Sequence, residues 1–455
     1  MTRRFQFARL RRFLESPWAK YFVVAFGLLI RIIALARIGG RFLYYENTAY
    51  DRMAVEFLHN VKFSPYWPPG VPYYLMLAHM VFGEGLLVAR ASILLIYVAF
   101  SFGLYALVRE LWSRRAANIA VLTFVLYPSY IRWSFNPSTE YPAAACLVAI
   151  VWLTAVTIRK RSAGVAVELG LLLGVLALVR GSSLGLVILV PVFVFYRTRV
   201  FTLAVVPLLI AAIPISAWLW KVHDMTGRFV MINESNAENF FQSNNAYTPL
   251  YNTCIGGPVP WNVPPQFTAL ERDIECQQPA QQQQTYRRLA IQHIFSRPDL
   301  FLLRSFNRFR AFFCFPIHRG EPLTGRANSS PSHGWLGMAI TAFELCFYWP
   351  IMILAIIFYF NLANFGFDSK NALLLLGTIF IYAFPCFLTC SQPRYNFPVV
   401  PVFAVFACIF LDTLIDKPWR ELVVPRQKLA MILTLAFFAY IQIEWMVILV
   451  SSGTI

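Results

Sequence analysis

Stretches of roughly 20 consecutive apolar residues recur along most of this chain, separated by short polar breaks. At 1.5 Å per helical residue, a window of that length spans the ~30 Å hydrocarbon core of a bilayer. Windows of this kind fall at residues 21–38, 86–108, 117–133, 141–157, 165–179, 184–196, 201–220, 335–360, 372–388, 395–411 and 429–450. Residues 72–82 are apolar but too short to cross, and predict a half-embedded or interfacial helix. The pattern predicts an all-α polytopic membrane protein with about eleven transmembrane helices. It divides into a membrane region at 1–220 with a first outer loop at 39–85, a large polar loop at 221–334, and the final spans at 335–455.

Composition agrees with this reading. Of 455 residues 58% are hydrophobic and only 13% charged, about half the charge of a soluble domain. The formal charge of +17 raises the question of nucleic acid, but the basic residues sit in short clusters between apolar runs and do not line one face of a soluble fold. Arg109–Arg115, Ile158–Arg161, Tyr196–Arg199 and Asp416–Lys428 carry these clusters. The positive-inside rule assigns them, and an uncleaved N-terminus, to the cytoplasm of a multi-pass protein of the inner (plasma) membrane. The first loop, residues 136–140, the 221–333 region and residues 391–394 then share the outer side, as does the C-terminus.

That shared side gathers the candidate chemistry. The first loop reads YENTAYDRMAVEFLHNVKFSPYWPPGVPYY and holds Glu46 and Asp51 beside a span end. Glu140 opens another span, and Arg180 and Arg394 end spans on the same side. A charge beside hydrocarbon requires a partner or a watery cavity, so these residues form either a functional site or structural ion pairs. A carboxylate there can take a proton from a hydroxyl while arginines neutralise a departing phosphate, whose oxygens match the planar guanidinium fork. In the large loop, NESNAENFFQSNN is rich in side-chain amides. RSFNRFRAFF (304–313) predicts an interfacial amphipathic helix facing anionic headgroups, and QQPAQQQQ a flexible tether or polar helix turn. Cys254 and Cys276 either pair as a disulfide or stay as two free thiols, while Cys386 and Cys390 read as packing residues. With no His/Cys cluster no metal is favoured, and a divalent ion shared by Glu46 and Asp51 is the alternative.

Several short motifs together resemble the GT-C glycosyltransferases that use polyprenyl-phosphate sugars, in particular aminoarabinose-to-lipid-A transferases and protein O-mannosyltransferases. Glu46-Asn47-Thr48-Ala49-Tyr50 resembles the acid-acid-x-x-Tyr signature, with Asn47 in place of the second acid. Tyr66-Trp67-Pro68-Pro69-Gly70-Val71-Pro72 is similar to the family's Pro-Pro-Gly-Tyr-Pro turn, and Ser138-Thr139-Glu140 to its second outer loop. Leu178-Val179-Arg180 resembles a recurrent Leu-x-Arg, and Arg394-Tyr395-Asn396-Phe397-Pro398 an Arg-Tyr-x-x-Pro. Gly227–Val230 and Asn244-Asn245 resemble the start of the large outer loop.

The resemblance implies an inverting transfer of a sugar from a polyprenyl-phosphate donor to a glycan, lipid or protein hydroxyl on the extracytoplasmic face. It assigns the catalytic base to Glu46, with Asp51 and Glu140 as further catalytic carboxylates. Arg394, Arg180 and Tyr395 are expected at the donor phosphate, and Tyr50, Tyr66, Trp67, Asn244 and Asn245 at the substrate. A transporter or flippase of a lipid-linked sugar is the alternative. It calls for charges near the membrane midplane, for which Arg31 in the first span is the main candidate, and for internal repeats, of which none is evident. A non-catalytic subunit of a polymer ligase is a third reading.

Overall fold

A computed structural model describes residues 11–39, 45–250, 254–255, 262–316, 335–424 and 426–451, with the side chains of 45–47 and 335–337 also outside the description. Among the described residues the structure is helical and contains no strand. In chain order the helices are α1 (Ala19–Ile38), α2 (Tyr45–Leu58), α3 (Gly70–Phe82), α4 (Leu86–Leu111), α5 (Arg114–Leu126), α6 (Pro128–Trp133), α7 (Glu140–Lys160), α8 (Ala163–Val179), α9 (Leu184–Thr198) and α10 (Phe201–Thr226). The large loop folds as α11 (Ser235–Ser243), α12 (Pro265–Glu275), α13 (Pro279–Ser296) and α14 (Pro298–Phe312). The chain then continues through α15 (Trp335–Phe360), α16 (Ser369–Leu388), α17 (Val400–Leu414) and α18 (Lys428–Ser451).

Nine helices among the described residues are long and apolar enough to cross a bilayer. Two further apolar helices, α3 and α8, are shorter. At 13 residues α3 reaches only about 20 Å, consistent with a segment that does not cross. The 17-residue α8 packs tightly on α10: a Cβ on Gly170 would lie 2.7 Å from the Pro207 carbonyl oxygen, and one on Gly174 2.8 Å from that of Ala211. Small residues four apart let two helix backbones meet where hydrocarbon supplies no hydrophobic drive.

The apolar window at 117–133 is two helices rather than one. Tyr127 precedes Pro128 and takes an extended conformation, φ −69° and ψ 119°, so α5 stops and α6 restarts with proline at its first position. The break strands two carbonyls. The Phe124 oxygen would accept from residue 128, which has no N–H, and that of Val125 from Ser129, whose N–H donates instead to the Glu344 carboxylate of α15 (2.9 Å). Arg31 fills the gap. It is fully buried in α1 and donates to the carbonyls of Val125 (3.2 Å), Phe124 (3.4 Å), Tyr130 (3.1 Å) and its own Gly27 (3.1 Å), with its guanidinium 3.9 Å from the centre of the Tyr97 ring. A buried backbone oxygen without a donor is costly in a membrane, and a multi-pronged cation resolves several at once. The charge that interrupts the first span thus holds a broken helix together.

The two ends of the helix bundle are tied separately. At one end Arg115 of α5 is bonded to Asp412 of α17 and to Asp416 just beyond it, Arg159 of α7 to Glu110 of α4, and Arg197 of α9 to Asp368 at 2.8 Å. The other end holds Glu140, Arg180, Arg394 and the large loop. In that loop Arg304, Arg308 and Arg310 point inward, not toward headgroups as the composition of 304–313 predicts. Arg304 donates to the carbonyls of Asn245 and Thr248, Arg308 to those of Ser243, Phe387 and Leu388, and Arg310 pairs with Glu444 of α18. Leu302, Leu303 and Phe306 are the exposed large apolar residues of this helix. The reversal is physical: irregular backbone after α11 needs donors, and the nearest helix supplies them. Of the two readings of residues 277–284, tether or polar helix turn, the second holds: Pro279–Ser296 form the regular helix α13. Neither alternative for Cys254 and Cys276 holds, and of the two cysteines read as packing residues only Cys386 stays a buried free thiol. Cys254 is bonded to Cys390 at the end of α16, with Cα atoms 5.2 Å apart, and Cys276 is an exposed thiol. The bridge fastens the large loop to the membrane bundle.

Candidate active site

A polar cleft opens where the ends of α7, α8 and α16 meet the first loop and α11. Its void of about 170 Å³ is more than ten times the roughly 10–15 Å³ that one water needs. The aromatic wall comes from Tyr50 of α2 and Trp67, whose rings lie 5.4 Å apart. Gly70 is what brings that loop in: a Cβ there would lie 2.6 Å from the Val179 backbone nitrogen, so only glycine lets the turn seat against the end of α8, next to Arg180. Tyr66 stands behind Trp67 and donates to Glu238 of α11 (2.9 Å), clasping the first loop to the large one.

Among the described residues, the charges lining the cleft are two arginines and one carboxylate. Glu140 is buried at 4% exposure at the start of α7, and its Oε1 lies 3.9 Å from Arg394 Nε. Arg180 follows α8 directly; its Nη1 is buried with no hydrogen-bond partner among the described residues. The Tyr395 ring sits between the two cations, 5.2 Å from the Arg180 guanidinium and 5.7 Å from that of Arg394. Arg394 and Tyr395 ride on a 3₁₀ turn, Pro393–Val399, that is pinned beneath. Asn396 donates to the carbonyls of Phe312 (2.8 Å) and Cys314 (3.1 Å), while Tyr130 stacks on Phe397 at 3.9 Å and donates to its carbonyl. Two guanidiniums held at a span end by rigid supports form a site for an anion.

Of the residues singled out in the sequence, Glu140, Arg180, Arg394, Tyr395, Tyr50 and Trp67 meet in this cleft, although they come from five separate segments. Asp51 lies outside it, held by His79 Nε2 at 2.9 Å. Asn244 and Asn245 are buried away from it: Asn244 donates to the carbonyls of Phe240 and Leu388, and Asn245 to that of Phe241, so their amides serve the loop backbone. The Glu46 side chain is outside the described residues; its backbone lies in the first turn of α2, four residues before Tyr50. Asn236, Asn239 and Ser182 also line the cleft, and motif reading missed them. The signal for the two asparagines lies in helical period. Ala237 and Phe241 are the buried apolar face of α11, which turns residues 236 and 239 the other way. Among the described residues no three His, Cys, Asp or Glu side chains converge as a metal site.

The helix bundle as a whole is similar in fold to solved structures. The oligosaccharyltransferase AglB of Archaeoglobus fulgidus, in complex with an inhibitory peptide and a dolichol-phosphate, matches 96% of this chain at 16% identity with a TM-score of 0.50. The fold is GT-C-like. The chain spans little more than half of that relative, covering 56% of its length. The apo form of the same archaeal protein is similar over 96% of this chain and 56% of its own, at 14% identity and a TM-score of 0.48. ArnT from Cupriavidus metallidurans, bound to undecaprenyl phosphate, aligns with 86% of this chain and 78% of its own at 14% identity and a TM-score of 0.42. A family model described as dolichyl-phosphate-mannose-protein mannosyltransferase matches residues 67–220, the stretch of this GT-C-like chain from Trp67 through α10. No curated protein matches it in sequence.

Proposed function

We propose that this protein is a membrane glycosyltransferase that moves a sugar from a polyprenyl-phosphate carrier to an acceptor hydroxyl, with inversion at the anomeric carbon. The observation that carries the reading is the pair of arginines, Arg180 and Arg394, flanking the Tyr395 ring at a span end, with the buried Glu140 carboxylate 3.9 Å from Arg394. In the reaction the bond from C1 to the phosphate oxygen breaks and its electrons stay on the phosphate. The two guanidiniums stabilise that developing charge. The acceptor oxygen attacks C1 from the opposite face and gives its proton to a carboxylate. Glu46 is assigned as that base on its motif, and Glu140 orients Arg394.

The cleft end is assigned to the extracytoplasmic face, because Arg109–Arg115, Ile158–Arg161 and Tyr196–Arg199 cluster at the opposite end. The location is the inner (plasma) membrane, and the acceptor is a glycan, lipid or protein. The transporter alternative loses its main sequence support, since Arg31 is spent on backbone carbonyls.

The test is turnover by purified protein in lipid nanodiscs supplied with a polyprenyl-phosphate sugar labelled in the sugar. Release of unlabelled polyprenyl phosphate is expected. Glu46→Gln should lower its rate by roughly two to four decades at unchanged donor affinity. Arg394→Ala should weaken donor binding, and Arg394→Lys should restore it only in part, because lysine lacks the fork. A wild-type protein that binds the donor and carries it across a vesicle membrane without cleaving it would replace the transferase by the flippase.

A further inference from the structure

The cleft has a second wall whose chemistry differs from the arginine side. It is formed by α11 and the turn before it, where Asn236, Asn239 and Ser235 face the void, joined by Ser182 after α8. Both acids of this stretch are turned elsewhere: Glu234 pairs with Arg228 at 2.8 Å and Glu238 accepts from Tyr66. The remaining carboxylate of the cleft, Glu140, lies against Arg394. Among the described residues the loop-side wall is therefore neutral and made of amides and hydroxyls. Asn233 is committed to its neighbours, donating to Ser235 Oγ at 2.6 Å. The Asn239 side chain, by contrast, makes no hydrogen bond among the described residues and lines the void.

A primary amide offers one acceptor and two donors, which suits a hydroxyl that both gives and takes a hydrogen bond. Asn236, whose Nδ2 also donates to the Asn233 carbonyl (3.3 Å) and side-chain oxygen (3.4 Å), stands at i to Asn239 at i+3, a spacing that reaches neighbouring hydroxyls on a ring. The aromatic pair Tyr50–Trp67 supplies an apolar surface beside them for the C–H face of that ring. A cationic amino sugar would instead call for an unpaired carboxylate on this wall.

We infer that the loop-side wall is the sugar subsite, that it takes a neutral, polyhydroxylated sugar, and that Asn239, assisted by Asn236, determines this choice. The inference rests on the transferase reading above, which supplies the phosphate side of the same cleft.

The test measures affinity of wild type and Asn239→Ala for three probes sharing one short polyprenyl phosphate: the bare lipid, the lipid bearing a neutral hexose, and the lipid bearing an amino sugar. Wild type should prefer the hexose lipid over the bare lipid by about three- to ten-fold, the range set by one or two hydrogen bonds. Asn239→Ala should erase that margin while holding the bare lipid within two-fold of wild type, which also reports correct folding. Asn239→Asp should shift preference toward the amino sugar. A hexose margin that survives Asn239→Ala, or a wild-type preference for the amino sugar, overturns the subsite while bare-lipid binding leaves the transferase standing. Failure of wild type to bind any of the three overturns both.

Discussion

Arg31→Met keeps length and apolar bulk in α1 but removes every donor that serves the break at Pro128. Three carbonyls outside its own helix, those of Val125, Phe124 and Tyr130, then lose their partner. Side-chain hydrogen bonds within membranes contribute about 0.6 kcal/mol on average and up to ~1.7, so the three together are worth roughly 2–5 kcal/mol. The 3.4 Å contact to Phe124 argues for the lower half of that range, and loss of the cation–π contact with Tyr97 adds about 1 kcal/mol. Denaturant unfolding in detergent micelles, followed by tryptophan fluorescence, reads the loss as a lower midpoint. Pro128→Ala restores an N–H opposite the Phe124 oxygen, so the double variant Arg31→Met/Pro128→Ala should recover part of the stability lost in Arg31→Met alone. Turnover per folded molecule should stay near that of wild type, because Arg31 is not part of the cleft. An unchanged midpoint in Arg31→Met, or a folded Arg31→Met protein with full stability and no activity, would refute the staple and return Arg31 to a functional role.

Two further outcomes follow from the large loop. Cys254→Ser and Cys390→Ser should each abolish a mobility difference between reduced and oxidised protein on gels and cost about 2–4 kcal/mol, whereas Cys276→Ser should do neither. Burial raises the Glu238 carboxyl above its ordinary value, and the nearby charges of Glu271 and Glu275 raise it further, against the opposing hydrogen bond from Tyr66. A raised folded value stabilises the loop below the ordinary carboxylate range and loses that contribution as pH climbs through it. Hydrogen exchange in α11 should therefore quicken as pH rises beyond its intrinsic dependence, and Glu238→Gln should flatten that excess; an excess that persists in Glu238→Gln would place its origin elsewhere.

Most of the bundle was legible because apolar length is a one-dimensional signal that hydrocarbon thickness enforces directly. The split at 127–128 was also written in the chain, as Tyr-Pro within an apolar window, but average hydropathy conceals it. The inward turn of Arg304, Arg308 and Arg310 was not legible. Composition gives amphipathicity, and the direction depends on which neighbour has carbonyls to satisfy. The partner of Cys254 was hidden for a related reason, since Cys390 is near it only once a distant span end has been folded beside the loop. In the cleft, Glu140, Arg180 and Arg394 were found as charges at span ends, where an ionised group needs a reason to exist. Asn239 carried no such flag, because an uncharged amide in a polar loop is ordinary until its neighbours' periodicity fixes where it points.

Arg394 sits between two fixed points only a few residues apart: the bridge at Cys390 on one side, and the Asn396 and Phe397 anchors on the other. A segment clamped so closely at both ends has no slack to absorb a change in length. Inserting or deleting one residue between 390 and 396 would displace the guanidinium by about 3 Å along the backbone, while leaving every named side chain present. Across species, substitutions at positions 391 to 393 can therefore drift in identity, whereas the interval itself should not vary in length.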